Sequence, residues 1–211
     1  MSRTADDAGR EVQQLLSVAE LLEEPRLARL YACIDRLGEA TVGEVVDRLD
    51  VSQATVYDYV TRLVEADALE VVSETQPRQY ATRRIELTVS AFGDESETAN
   101  GGYTVTPALI DAVGRQTTND DIDSFVGRHG VDGLAAALDH AVARARGETT
   151  HRLVARELDV SPLAAEMVLQ ALDPVVREHF EIGRHGESVG TVEADIGRAE
   201  TDAESGSNTQ L

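Results

Sequence analysis

Between Ser52 and Arg62 lies a close series of side chains that can exchange hydrogen bonds with another molecule: Ser52, Gln53, Thr55, Tyr57, Asp58 and Arg62. A glutamine amide matches the paired donor and acceptor on the major-groove edge of adenine. A threonine meets a base or a thymine methyl, and a carboxylate accepts from cytosine N4. Arg62 sits further along and suits a phosphate oxygen. A second group, Arg78, Arg83 and Arg84, falls within residues 75–85, which contain no acid. Arginines of this kind lie along the nucleic-acid backbone or in the minor groove. Enzyme chemistry is not expected. There is no phosphate-binding glycine loop, nucleophile elbow or zinc spacing, so neither a cofactor nor a metal is implied. The five histidines show no close spacing with Cys33, which reads as a buried structural thiol.

These side chains need a scaffold, and the flanking sequence predicts one. Thr41 and Glu44 have the spacing of a capping box. Val42, Val45, Val46 and Leu49 then recur at helical intervals. Asp50, Val51 and Ser52 read as a tight turn, with Ser52 as N-cap of a second helix. Val56, Val60, Leu63 and Val64 mark its buried face and leave the hydrogen-bonding side chains largely outside. Leu69–Ser73 and Arg78–Thr82 are extended runs around a proline-containing turn, the pattern of a hairpin. Upstream, Pro25 fits a first helical position, and Leu27, Leu30, Tyr31, Ile34 and Leu37 repeat at helical spacing up to Gly38, a C-cap. The expected fold is mainly α with a small β wing: a winged helix-turn-helix followed by a helical C-terminal domain.

The stretch VGEVVDRLDVSQATVYDYVTRLVEADALEVV, with the wing YATRRIELT, resembles winged helix-turn-helix transcription regulators of the ArsR/TrmB-like kind, and in its acidity those of haloarchaea. The resemblance implies a sequence-specific regulator that places the second helix in the major groove of duplex DNA and its wing on the backbone. It also implies an effector of unknown nature. One position departs from the pattern. Asp58 stands where such regulators often carry Arg or Lys, and a carboxylate there repels phosphate. The competing reading is a winged-helix protein–protein interaction module of the transcription or DNA-processing machinery that does not read sequence.

The whole-chain charge bears on this choice. The formal net charge is −20, and all 19 basic residues are arginine. Acid excess without lysine is the composition of a protein adapted to concentrated salt. At molar salt the screening length is about 3 Å, so an acidic body repels DNA only at short range. The gain from counterion release is then small as well. With 42% apolar residues the chain can build a core. No signal peptide or spanning segment is evident, and a cytoplasmic protein is expected.

The expected organisation is an extension with a short amphipathic helix at 1–23, the winged helix at 24–92, a linker or hairpin turn at 93–102, a helical domain at 103–182 and a disordered acidic tail at 183–211. Ile85–Phe92 alternates like a strand, and Tyr103–Thr106 is a candidate return strand. Val131–Arg146 carries Leu134, Leu138, Ala141, Val142 and Ala145 on one face. Its small residues suit close packing, either in the interior or against a second copy in a homodimer. Residues 150–172 repeat part of 41–63, with Leu-Asp-Val-Ser at the same offset. They read as a second helix-turn-helix-like unit, although its outward positions Pro162, Ala164, Glu166, Met167 and Gln170 include no cation.

Overall fold

The computed structural model describes residues 15–85, 87–89 and 102–181. The expectations for the first residues, most of the linker and the acidic tail lie outside them. Helix α1 is described over residues 15–23 and is followed by α2, Pro25–Leu37, with Pro25 in its first turn and Gly38 closing it at φ 76°. Strand β1 is Glu39–Thr41 and helix α3 is Val42–Leu49. The expected capping box is formed. The Thr41 N–H donates to Glu44 Oε2 at 2.8 Å, and the Glu44 N–H donates to Thr41 Oγ1 at 3.3 Å. The Thr41 N–H and the Thr41 hydroxyl, which also donates to Glu44 Oε2 at 2.8 Å, hold the Glu44 carboxyl below its usual range. Asp50 turns the chain in the left-handed region, at φ 55°. Ser52 then caps α4, Gln53–Glu65, by accepting from the Thr55 N–H. Leu27, Leu30, Ile34, Val45, Leu49, Val56, Val60 and Leu63 close the three-helix core.

Strands β2, Leu69–Ser73, and β3, Gln79–Thr82, form the expected hairpin, but the sheet has three strands in the order β1–β3–β2. Strand β1 pairs antiparallel with β3, Thr41 opposite Gln79. Three residues are too few for alternation to register in sequence; the fully buried Ala40 is held there by its partner strand. The β2–β3 register slips between Val71 and Ser73, a bulge that leaves Val71 and Val72 exposed. Strands β4, Leu87–Val89, and β5, Tyr103–Val105, pair antiparallel and carry the chain to the C-terminal helices.

Those helices are α5, Pro107–Gly114; a 3-10 turn, Arg115–Thr117; α6, Asp120–Ala145, bent at Gly130; α7, His151–Glu157; and α8, Pro162–His179. Asn119 caps α6 through bonds from the Asp121 and Ile122 N–H groups. The alanine-bearing half of α6 is not a free face. Leu134, Ala137, Leu138 and Ala141 are buried, and α8 packs along the helix. The close approach that small residues permit is used inside the chain.

The winged helix and the C-terminal helices share one core. Helix α2 lies against α5 so closely that a Cβ at Gly114 would stand 2.6 Å from the Arg29 backbone nitrogen. Beside that contact Asp111, 3% exposed, accepts from Arg36 at 3.1 Å and Arg115 at 3.0 Å, with His179 Nε2 also at 3.1 Å. Glu178 bridges the same two arginines at 2.8 and 2.7 Å. Burial pushes the Asp111 carboxyl up, but bonds from His179 and Arg115 and the charges of Arg115 and Arg36 outweigh it and hold it below its usual range. This cluster ties α2, α5 and α8 together.

Candidate nucleic-acid interface

The outward surface of α4 is set by helical geometry. With Val56, Val60 and Leu63 turned into the core, Gln53, Ala54, Tyr57, Asp58 and Thr61 face solvent. Tyr57, 51% exposed, is a large ring on that surface. The Thr61 hydroxyl donates to the Tyr57 carbonyl at 2.8 Å, so its methyl is the group left to present. Ala54 and Thr61 complete the face on which the candidates Gln53, Tyr57 and Asp58 lie. Thr55 is placed differently. It is half-buried, its hydroxyl lies 2.7 Å from the Ser52 hydroxyl, and both residues line a cavity behind the helix. The signal for this was its position one residue before Val56, on the shoulder of the apolar stripe.

The arginines separate as well. Arg62 is held by Glu20 of α1, with Nη2 2.6 Å and Nε 3.1 Å from one carboxylate oxygen, and its guanidinium lies 5.9 Å over the Tyr59 ring. The bond to Glu20 raises the Arg62 pKa, and the nearby Glu24 and Asp58 charges act in the same direction. Arg83 follows β3 at the base of the wing. Its Nε is 3.4 Å from Asp67 and 3.5 Å from Glu70, and its carbonyl accepts from the Tyr31 hydroxyl at 2.7 Å. Arg84 follows it, also exposed and outside the hairpin. Only Arg78, of the three wing arginines, stands in the loop joining β2 to β3, with Glu74 4.0 Å away. The acid-free stretch of sequence therefore becomes a charge-balanced wing base carrying one arginine at its tip.

The second helix-turn-helix-like unit repeats the backbone of the first. Asp159 is left-handed at φ 52°, as Asp50 is at 55°. Ser161, at φ −64° and ψ 149°, caps α8 by accepting from the Ala164 N–H at 3.1 Å, and Ser52 has φ −64° and ψ 145°. Its surface differs: Leu153, Leu163 and Met167 are exposed there.

Residues 28–86 match the family model described as sugar-specific transcriptional regulator TrmB. That part of the chain folds as a winged helix-turn-helix and is similar to the TrmB family. The match runs from within α2 through the wing, the span occupied by the three-helix core and its sheet. The match supports a domain of the transcription-regulator class, joined to helices outside it. Residues 116–181, from the 3-10 turn to the end of the described chain, match a family of unknown function, DUF7437. No curated protein and no solved structure matches the chain. Among the described residues no helix is long and apolar enough to cross a membrane.

Proposed function

We propose that this protein is a sequence-specific transcription regulator that acts on duplex DNA in the cytoplasm as a homodimer, at high salt. The observation that carries the reading is the exposed face of α4, with Gln53, Tyr57 and Asp58 outermost, in a domain of the TrmB kind whose wing stands beside it. Gln53 is at the N-terminal turn, the part of a reading helix that reaches base edges. Arg78 at the wing tip supplies a backbone contact. Arg62 and Arg83 support the scaffold through their carboxylate partners. The α7–α8 unit then serves as a structural or interaction copy rather than a reader.

A single winged helix grips one half-site, and an acidic surface adds little non-specific affinity. Two linked copies bind far more tightly because the second contact is intramolecular. A two-fold pair with reading helices roughly 34 Å apart meets an inverted repeat. Since α8 covers the alanine face of α6, the leading helix α1 is the proposed contact. Its Leu15 and Leu16 are 50% and 60% exposed.

The test is site-ranked binding at constant high salt. Gln53→Ala is expected to cost about 1–3 kcal/mol on the preferred site and less on others. Arg78→Gln should weaken all sequences by a similar factor. An unchanged ranking of sites in Gln53→Ala would refute the assignment. A specific observation favours the second reading, the protein-interaction module. Asp58 lies on the outer face of α4, Arg62 and Arg83 are taken up by carboxylates, and Val71, Val72, Leu163 and Met167 are exposed. Absence of any saturable duplex binding would select that reading.

A further inference from the structure

Behind the reading helix lies a cavity of about 520 Å³ between α2, the helix-turn-helix turn, the first turns of α4 and the 3-10 turn of the C-terminal region. This is within the range of small-molecule sites, roughly 300–1,000 Å³. Its chemistry is opposite to that of the chain. The protein has 39 acids and 19 arginines, yet no acid lines this cavity, and Arg26 and Arg29 both do. Elsewhere Arg36, Arg62, Arg83, Arg115 and Arg144 are each held by carboxylates. Arg26 and Arg29 make no ion pair with the described residues. Arg29 is held only by a long bond to the Leu49 carbonyl, at 3.5 Å. Ser52, Thr55 and Tyr59 add hydroxyl-bearing side chains to the lining, with Leu30, Leu49 and Val51 as its aliphatic floor, while Thr117 lines it with its hydroxyl donated to the Gly114 carbonyl at 2.9 Å. Thr117 of the 3-10 turn lines the same cavity, so the C-terminal region contributes to its wall.

We propose that this cavity binds a small molecule bearing one carboxylate or phosphate and an apolar body. The anion sits between Arg26 and Arg29 and accepts from the Tyr59 hydroxyl and from one of the paired Ser52 and Thr55 hydroxyls; the body covers the floor. A paired guanidinium site with hydroxyl donors suits either oxyanion. Because Ser52 and Thr55 form the start of α4, occupancy bears on the helix that the preceding section assigns to DNA. That coupling rests on the DNA-binding reading; the binding itself does not.

The experiment uses the full chain at constant ionic strength, titrated with inorganic phosphate and with phenyl phosphate and followed by tyrosine fluorescence and melting temperature. The expected result is saturable binding of both probes, tighter for phenyl phosphate, whose ring fills the floor. Arg26→Gln/Arg29→Gln is expected to raise the apparent Kd about tenfold or more. Arg29 also touches the Leu49 carbonyl, so Arg26→Gln is measured separately as a variant that spares that bond and is expected to weaken binding of both probes. Equal affinity in native and variant proteins, or no saturable response to either probe, overturns the proposal. A third result also overturns it: neither probe binds, while Arg26→Gln weakens every duplex equally and flattens the salt dependence. The arginines would then seat a DNA backbone phosphate. The probe titration contains no DNA, so its failure is distinguishable from failure of the DNA-binding reading.

Discussion

Asp111→Asn removes the carboxylate on which the winged helix and the C-terminal helices converge. The native carboxylate is almost fully buried and accepts from Arg36, Arg115 and the His179 ring. Breaking a buried, hydrogen-bonded pair from one side costs about 3–5 kcal/mol. Two features lower that figure here. The Arg36 side chain is a third exposed, and Glu178 remains to hold both arginines. The expected loss is therefore about 2–3 kcal/mol, read as a lower midpoint in urea with unchanged slope. The pH dependence follows from the depressed Asp111 value. Its contribution is fully present above the ordinary aspartate value and is lost as pH falls through the lower, folded-state value. Native and Asp111→Asn proteins should thus differ most near neutrality and converge on acidification. Denaturation at fixed salt across an acid series measures this. A difference below about 0.5 kcal/mol at neutral pH, within the range of ordinary surface substitutions, or one that does not change with pH, would refute the idea that this cluster locks α2 to α5 and α8.

Gly114→Ala places a methyl 2.6 Å from the Arg29 nitrogen and 2.7 Å from its Cα, both backbone atoms that cannot swing aside. The cost expected from such overpacking is about 1–3 kcal/mol, seen as a lower melting temperature; native stability would show that the helices separate freely. The charge of −20 without lysine predicts that cooperative melting is lost on dialysis toward low salt, followed by circular dichroism, as self-repulsion grows with the screening length. Light scattering in high salt is expected to report twice the 22.8 kDa of one chain. Leu15→Ser with Leu16→Ser should return the monomer, whereas a dimer unaffected by that pair places the contact elsewhere.

Local chemistry made much of this protein legible in sequence. The Thr41–Glu44 box, the Ser52 and Ser161 caps, Pro25, Gly38 and the periodicity of α2 to α4 are each settled within a turn or two of chain, because caps and apolar stripes act between near neighbours. The winged helix, its second helix α4 and the repeated Asp-Val-Ser turn could therefore be read directly. What tertiary structure decided was the fate of side chains with more than one possible partner. Arg62 finds Glu20 from 42 positions away, and Arg83 finds Asp67 and Glu70 across the sheet. No local pattern announces either pairing, so a basic stretch of sequence became a neutral wing base. The alanine face of α6 suited an interior or a partner copy, and the position of α8 chose the interior. Thr55, on the edge of the apolar stripe, was turned inward by the packing of α4 on α2. The cavity holding Arg26 and Arg29 is lined by residues of α2, α3, α4 and the 3-10 turn, brought together only by folding. Helices are specified by spacing along the chain; which charges meet is specified by the distances folding leaves between them.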